Sequence, residues 1–178
     1  MASQGPDVVG LQEFGDPQAR VFCEVTGDTW GSFGNKDNVV IWRRGTFALV
    51  SSDTVAIPYF GGHTAQMPLA RPQHLASGQV ITVINVHNPA DVHGPAAKWR
   101  AEALARERTV VARERAAGCP VFLVGDLNDR KPAVCGVTDG GLMLSATGGS
   151  KAGACQPAQE HEHRLDLQHR GSFQRLPG

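Results

Sequence analysis

Residues 121–129 read VFLVGDLND. Four apolar residues run into Gly125, and Asp126 and Asn128 then stand two apart, with Asp129 beside them. On an extended chain, residues two apart face the same side. A turn accounts for Gly-Asp and Asn-Asp, since glycine, aspartate and asparagine all suit turns. A metal or phosphate site at the end of a strand accounts for them equally. Whether other strands end in the same way decides between the two.

Two others do. DVVGLQE (7–13) is a short apolar run that closes on Glu13, and QVITVINVH (79–87) is a β-branched strand that closes on His87. Two more strands, NVVIWRR (38–44) and TFALVSSDTVAI (46–57), join through a tight turn at Gly45. GDPQARVFCEVTG (15–27) reads as a helix with Asp16 as N-cap, Pro17 at its first position and Gly27 at its end. The clearest element is the helix AAKWRAEALARERTVVARERAAG (96–118), ended by Gly118. Trp99, Ala103, Leu104, Val110 and Val111 form its inner face, and its Arg and Glu residues form a solvated one. Residues 58–78, rich in Gly, Pro, His and Gln, read as a long surface loop, and NPADVHGP as a second loop. RKPAVCGVT starts a short helix, 138–160 is loop, and HRLDLQ (163–168) is a last strand before an irregular tail, 169–178. Strands interrupted by one long helix suggest an α+β fold dominated by β-sheet.

The chain has 178 residues, enough for one domain with a core of its own. It is 41% hydrophobic and 19% charged, with 17 basic against 17 acidic residues. A neutral balance disfavours a strongly basic nucleic-acid binder but leaves room for a local basic strip. No apolar run reaches the ~18 residues of a membrane span. MASQGPDVVG has neither a basic nor an apolar leader region, so it does not read as a signal peptide. None of the cysteines forms a CxxC pair. Cys135 and Cys155 flank a Gly-rich loop and are expected to pair, whereas Cys23 and Cys119 read as core thiols.

Glu13, His87, Asp126 and Asn128 are the parts of a metal-assisted phosphoester site. A carboxylate is an oxygen ligand that Mg²⁺ accepts readily. An imidazole beside a phosphate donates a proton or stabilises charge. An Asp–Asn pair positions water. Singly, each has a plainer reading: a solvated strand-end charge, a satisfied histidine in a turn, a turn sequence. A zinc module is a rival, since Cys155, His161, His163 and His169 fall close together, although in no standard finger spacing. A serine hydrolase is disfavoured by the lack of a G-x-S-x-G elbow.

In their order, DVVGLQE, VINVHNPAD, VFLVGDLND and HRLDLQ resemble the endonuclease/exonuclease/phosphatase superfamily. It includes pancreatic-type deoxyribonuclease, abasic-site endonucleases, neutral sphingomyelinases and inositol polyphosphate phosphatases, and HNPAD is most similar to secreted bacterial members. The resemblance covers about residues 7–168. It implies two packed β-sheets flanked by helices, a four-layer α/β/β/α sandwich. It implies Glu13 as ligand to Mg²⁺ or Mn²⁺, His87 at the scissile phosphate, Asp126 activating water, Asn128 holding the phosphate and Asp166 supporting the site. Asn38 is a further phosphate-binding candidate. The substrate implied is a phosphoester of nucleic acid, lipid head group or small-molecule type, and the chain is expected to be a monomer. The family's opening Asn-bearing strand and its closing S-D-H strand have no counterpart here. The expected domain, 1–178, is therefore partial, with turnover weak or absent, and an inactive remnant is the alternative. Tyr59, Phe60, His63, Arg71 and His74 in the 58–78 segment can stack a base or meet a lipid head group, or simply cover the fold.

Overall fold

The computed structural model describes residues 5–146, 148–150 and 155–157. Strand β1 (Val8–Gln12) is followed by helix α1 (Asp16–Thr26), then by β2 (Trp30–Gly34), β3 (Asn38–Arg43), β4 (Phe47–Pro58), β5 (Thr64–His74) and β6 (Thr82–His87). Helix α2 (Ala97–Ala116) leads to β7 (Val121–Asp126), α3 (Lys131–Thr138) and a small ribbon of β8 (Gly149–Ser150) and β9 (Gln156–Pro157). One sheet has the order β1-β3-β2 and is antiparallel. The other has the order β4-β5-β6-β7, antiparallel except for the parallel β6–β7 pair. The expected two-sheet sandwich with flanking helices is the fold observed.

The sheets meet face to face, and β3, the middle strand of its sheet, shows why. Its NVVIW residues are all buried, the near-continuous apolar run of a strand covered on both faces. Val40 and Trp42 pack there with Ala70 and Val83 of the second sheet. A second core of Val55, Ile57, Met67, Leu69, Ile84 and Val86 packs against Ala103 and Val111 of α2 on the other face. Helix α1 sits on the outer side of the first sheet through edge-to-face contacts of Phe22 with Phe14 and Trp30.

Buried Asn85 of β6 stitches the two sheets together. Its amide donates to the carbonyls of Leu11 (2.8 Å) and Val39 (3.1 Å), and its oxygen accepts from the Gln12 side chain. The close approach requires Gly10, where an added Cβ would lie 2.6 Å from Asn85 Oδ1 and 2.7 Å from Val124 Cγ2. Gly10→Val is expected to destabilise the fold by about 1–3 kcal/mol through overpacking, measured by chemical denaturation. Unchanged stability would show that the inter-sheet gap is not closed there.

Several expectations are corrected. Residues 58–78 are not a loop, because β5 occupies Thr64–His74 in the middle of its sheet. Pro68 and Pro72 hid it, having no N–H to give to a ladder. Accordingly, β5 pairs with β6 only at Leu69 and Ala70, between the two prolines. Trp30–Gly34, unassigned from sequence, forms β2. The N-cap of α1 is Gly15, with Asp16 already helical, while Gly27 ends the helix as expected. Cys23 is exposed and Cys119 half-buried, so Cys23 is not a core thiol. Cys135 and Cys155 form the expected disulfide, with a Cα–Cα distance of 5.7 Å. The charged face of α2 is not wholly solvated: Glu107 and Glu114 are buried.

Candidate active site

The central parallel pair sets two of the candidate residues side by side. In its register His87 stands opposite Asp126, at the C-terminal ends of β6 and β7. Gly125 permits this pairing. Its φ of 124° and a Cβ position 1.9 Å from the Val86 carbonyl oxygen exclude any other residue. The glycine of VFLVGDLND therefore belongs to the strand rather than to a turn.

Beyond β7 the chain turns sharply. Asp126 Oδ1 accepts from the Asn128 backbone N–H (2.8 Å), and Asn128 has φ 49°. The Asn128 side-chain amide donates to the Asn88 carbonyl (2.7 Å), and the Asn88 N–H donates to the Asp126 carbonyl (2.9 Å). The two turns that follow β6 and β7 are thereby locked to each other. Glu13, just past β1, has φ 54°. Among the described residues, Glu13 and Asn128 are the non-glycine residues with positive φ, and both are candidate site residues. Backbone of this kind persists where surrounding structure holds it, often at functional sites.

Glu13, Asn38 and His87 line one cleft of about 570 Å³, with Asn35, Asp37 and Tyr59. Asn38 starts β3 opposite Gln12, which places it beside Glu13. The Asn35 side chain shapes this corner, accepting from the N–H groups of Asp37 (3.0 Å) and Asn38 (2.9 Å) and donating to the Gln66 carbonyl (2.6 Å). Burial pushes the Tyr59 hydroxyl pKa up, and the nearby carboxylates of Asp37 and Glu13 add to the shift, so the phenol stays protonated. Sequence reasoning missed Asn35 and Asp37 as cleft residues and offered Tyr59 only as a substrate contact of the 58–78 segment. They belong to turns and strand ends whose partners only the fold reveals, although the Asn-Lys-Asp-Asn run at 35–38 is itself a turn signal.

Asn38 is 5% exposed, and its Oδ1 has no hydrogen-bond partner among the described residues. A buried acceptor of this kind, beside the Glu13 carboxylate, suits a hard cation that takes oxygen ligands. No group of three or more His, Cys, Asp or Glu residues gathers as a metal site among the described residues. Cys155 is taken up in the disulfide, and His161, His163 and His169 lie outside the described residues, as does Asp166.

The sequence profile of the endonuclease/exonuclease/phosphatase family matches residues 1–147. The chain belongs to this family. No curated protein sequence matches it. Solved structures share the family's fold. A mannosyl-6-phosphatase of Bacteroides thetaiotaomicron superposes with a TM-score of 0.62 at 16% identity, covering 75% of this chain and 57% of that one. The D. rerio TDP2 structure complexed with single strand DNA product gives 0.56 at 21%, covering 78% and 53%. The human Nocturnin catalytic domain with bound sulfate anion gives 0.57 at 14%, covering 71% and 53%. The chain thus spans about half the length of these structures. Family members are phosphoesterases, as nuclease and phosphatase types.

Proposed function

We propose that this chain carries the core of a phosphoester-hydrolysing site that works with Mg²⁺ or Mn²⁺. The observation that carries the reading is the His87–Asp126 pairing at adjoining strand ends, with Asn128 fixed beside them. Glu13 and Asn38 Oδ1, which has no hydrogen-bond partner among the described residues, would hold the cation, which would supply charge stabilisation at a phosphoryl oxygen. His87 faces the same cleft and would stabilise charge on the transferring group or donate a proton to it. The Asp126 carboxylate would orient the attacking water, and the Asn128 amide would steady the phosphate. Asp166, proposed from the family resemblance of HRLDLQ, would support the site. The relatives suggest a nucleic-acid phosphodiester or a sugar phosphate as substrate class.

Hydrolysis of bis-p-nitrophenyl phosphate and of p-nitrophenyl phosphate should require Mg²⁺ or Mn²⁺ and stop in EDTA. In parallel, inorganic phosphate with Mg²⁺ should move the NMR resonances of His87 and Asn128. Turnover undiminished in EDTA, or resonances at both residues indifferent to phosphate and Mg²⁺, would overturn the proposal.

A further inference from the structure

Behind the cleft lies a buried acid that the proposed chemistry does not use. Glu107 projects from α2 into the core and is fully buried, and neither of its carboxyl oxygens has a well-aligned hydrogen bond among the described residues. The Asn88 side chain, 2% exposed, lies against it, and Asn88 Oδ1 is also without a partner. Three buried acceptor atoms thus share one corner, where the Asn88 side-chain amide is the one donor set against the carboxyl among the described residues. A charged carboxylate there would be strongly unfavourable. A single proton on Glu107 removes the charge and supplies a second donor.

Asn88 is also the residue on which the candidate site hangs. It follows His87 directly, its N–H donates to the Asp126 carbonyl, and its own carbonyl accepts from the Asn128 side chain. We propose that Glu107 is held as the neutral acid and acts as a positioning residue, its carboxyl bonded to the Asn88 side-chain amide so that the turn after β6 keeps Asn128 in place. The functional meaning rests on the reading of His87 and Asn128 given above, whereas the contact itself does not.

Burial drives the Glu107 pKa up to about 7, with the Asn88 amide acting in the opposite direction. Charged groups on the elements packed against α2, namely Asp53 on β4, Asp126 on β7 and Lys131 on α3, are not among the causes. The flanking guanidinium groups of its own helix are engaged elsewhere. Arg106 bonds the Ala56 carbonyl and Glu102, and Arg108 bonds the Gly136 carbonyl and pairs with Asp139. The folded state holds its proton to higher pH than the unfolded chain, so this contribution to stability is full below about pH 4.5. It declines as pH rises and is lost by about pH 7.

NMR of the full chain tests the inference. The Asn128 side-chain amide and the Asn88 backbone amide should titrate with a midpoint of about 7. In Glu107→Gln that titration should vanish while the low-pH positions of both signals are kept, a rescue that bulk packing alone would not predict. Glu107→Leu should displace both signals at every pH. Imidazoles ordinarily titrate in the same range, so the series is repeated in His87→Gln. An unaltered titration in Glu107→Gln, or wild-type signals flat from pH 5 to 9, would overturn the inference. A lost phosphate response with this titration intact would count against the phosphoesterase reading alone.

Discussion

Replacing Asp126 by alanine is expected to lower the metal-dependent hydrolysis proposed for this chain by about 10²–10⁴-fold, the range typical for loss of one well-placed acid–base group. The carboxylate is exposed at the end of β7, where it can reach a water, and its Oδ1 also accepts from the Asn128 N–H. Alanine removes both functions. Asp126→Asn separates them, because an amide oxygen still accepts from that N–H but carries no charge and is a far weaker base. If Asp126 only shapes the turn, the asparagine variant should turn over like the wild type. If it activates water, the asparagine variant should fall nearly as far as alanine while its melting temperature stays close to wild type. Steady-state rates with bis-p-nitrophenyl phosphate, set beside thermal unfolding, distinguish the two. A wild-type rate in Asp126→Asn would remove Asp126 from the chemistry and leave VFLVGDLND as a structural turn.

What the sequence revealed follows from the range of the forces involved. Glu13, His87, Asp126 and Asn128 stand out as candidates because each follows an apolar strand, and a strand's end is set by local pattern. β3, β6 and α2 were legible for the same reason. β5 was not, since its prolines contradict local strand preference, and pairing with β4 along its length, with β6 on the other side, holds it extended. β2 was hidden by its two glycines, of which Gly31 gives room to the Trp42 ring across the pair, 2.4 Å from where a Cβ would stand. The buried acids of α2 escape a sequence reading because charge ordinarily signals solvent. The spacing held a signal all the same. Ala103, Glu107 and Val111 follow one another at four-residue intervals, which puts Glu107 on the apolar stripe. Its partner Asn88, like Arg71 for Glu114, is distant in sequence, and local periodicity carries no trace of such pairings.

Glu114→Ala is expected to destabilise the fold by about 3 kcal/mol, the lower end of the cost of breaking a buried pair. Glu114 ties α2 to the face of the second sheet. Its side chain is 5% exposed and accepts two parallel bonds from Arg71 of β5, both at 2.8 Å, in the fork geometry that favours Arg–carboxylate recognition. Arg113 adds bonds at 3.0 and 2.8 Å, and the Thr82 hydroxyl a longer one at 3.3 Å. Hydrogen bonding to Arg71 holds the Glu114 pKa down at about 2, with a smaller contribution in the same direction from Arg113. The folded state therefore favours the charged carboxylate. Its stabilisation is present above about pH 4.5 and is lost as pH falls towards about 2, the opposite sense to Glu107. Arg71→Met should cost less than Glu114→Ala, because Arg113 and Thr82 still satisfy the carboxylate. The double variant Arg71→Met/Glu114→Leu should recover most of the loss, since an apolar pair of similar volume avoids desolvating two charges. Chemical denaturation of the three variants at pH 7 and pH 3 reads out the coupling. Additive losses in the double variant, or a Glu114→Ala penalty that does not shrink at pH 3, would show that the pair is screened like a surface bridge and that apolar packing alone seats α2 on the sheet.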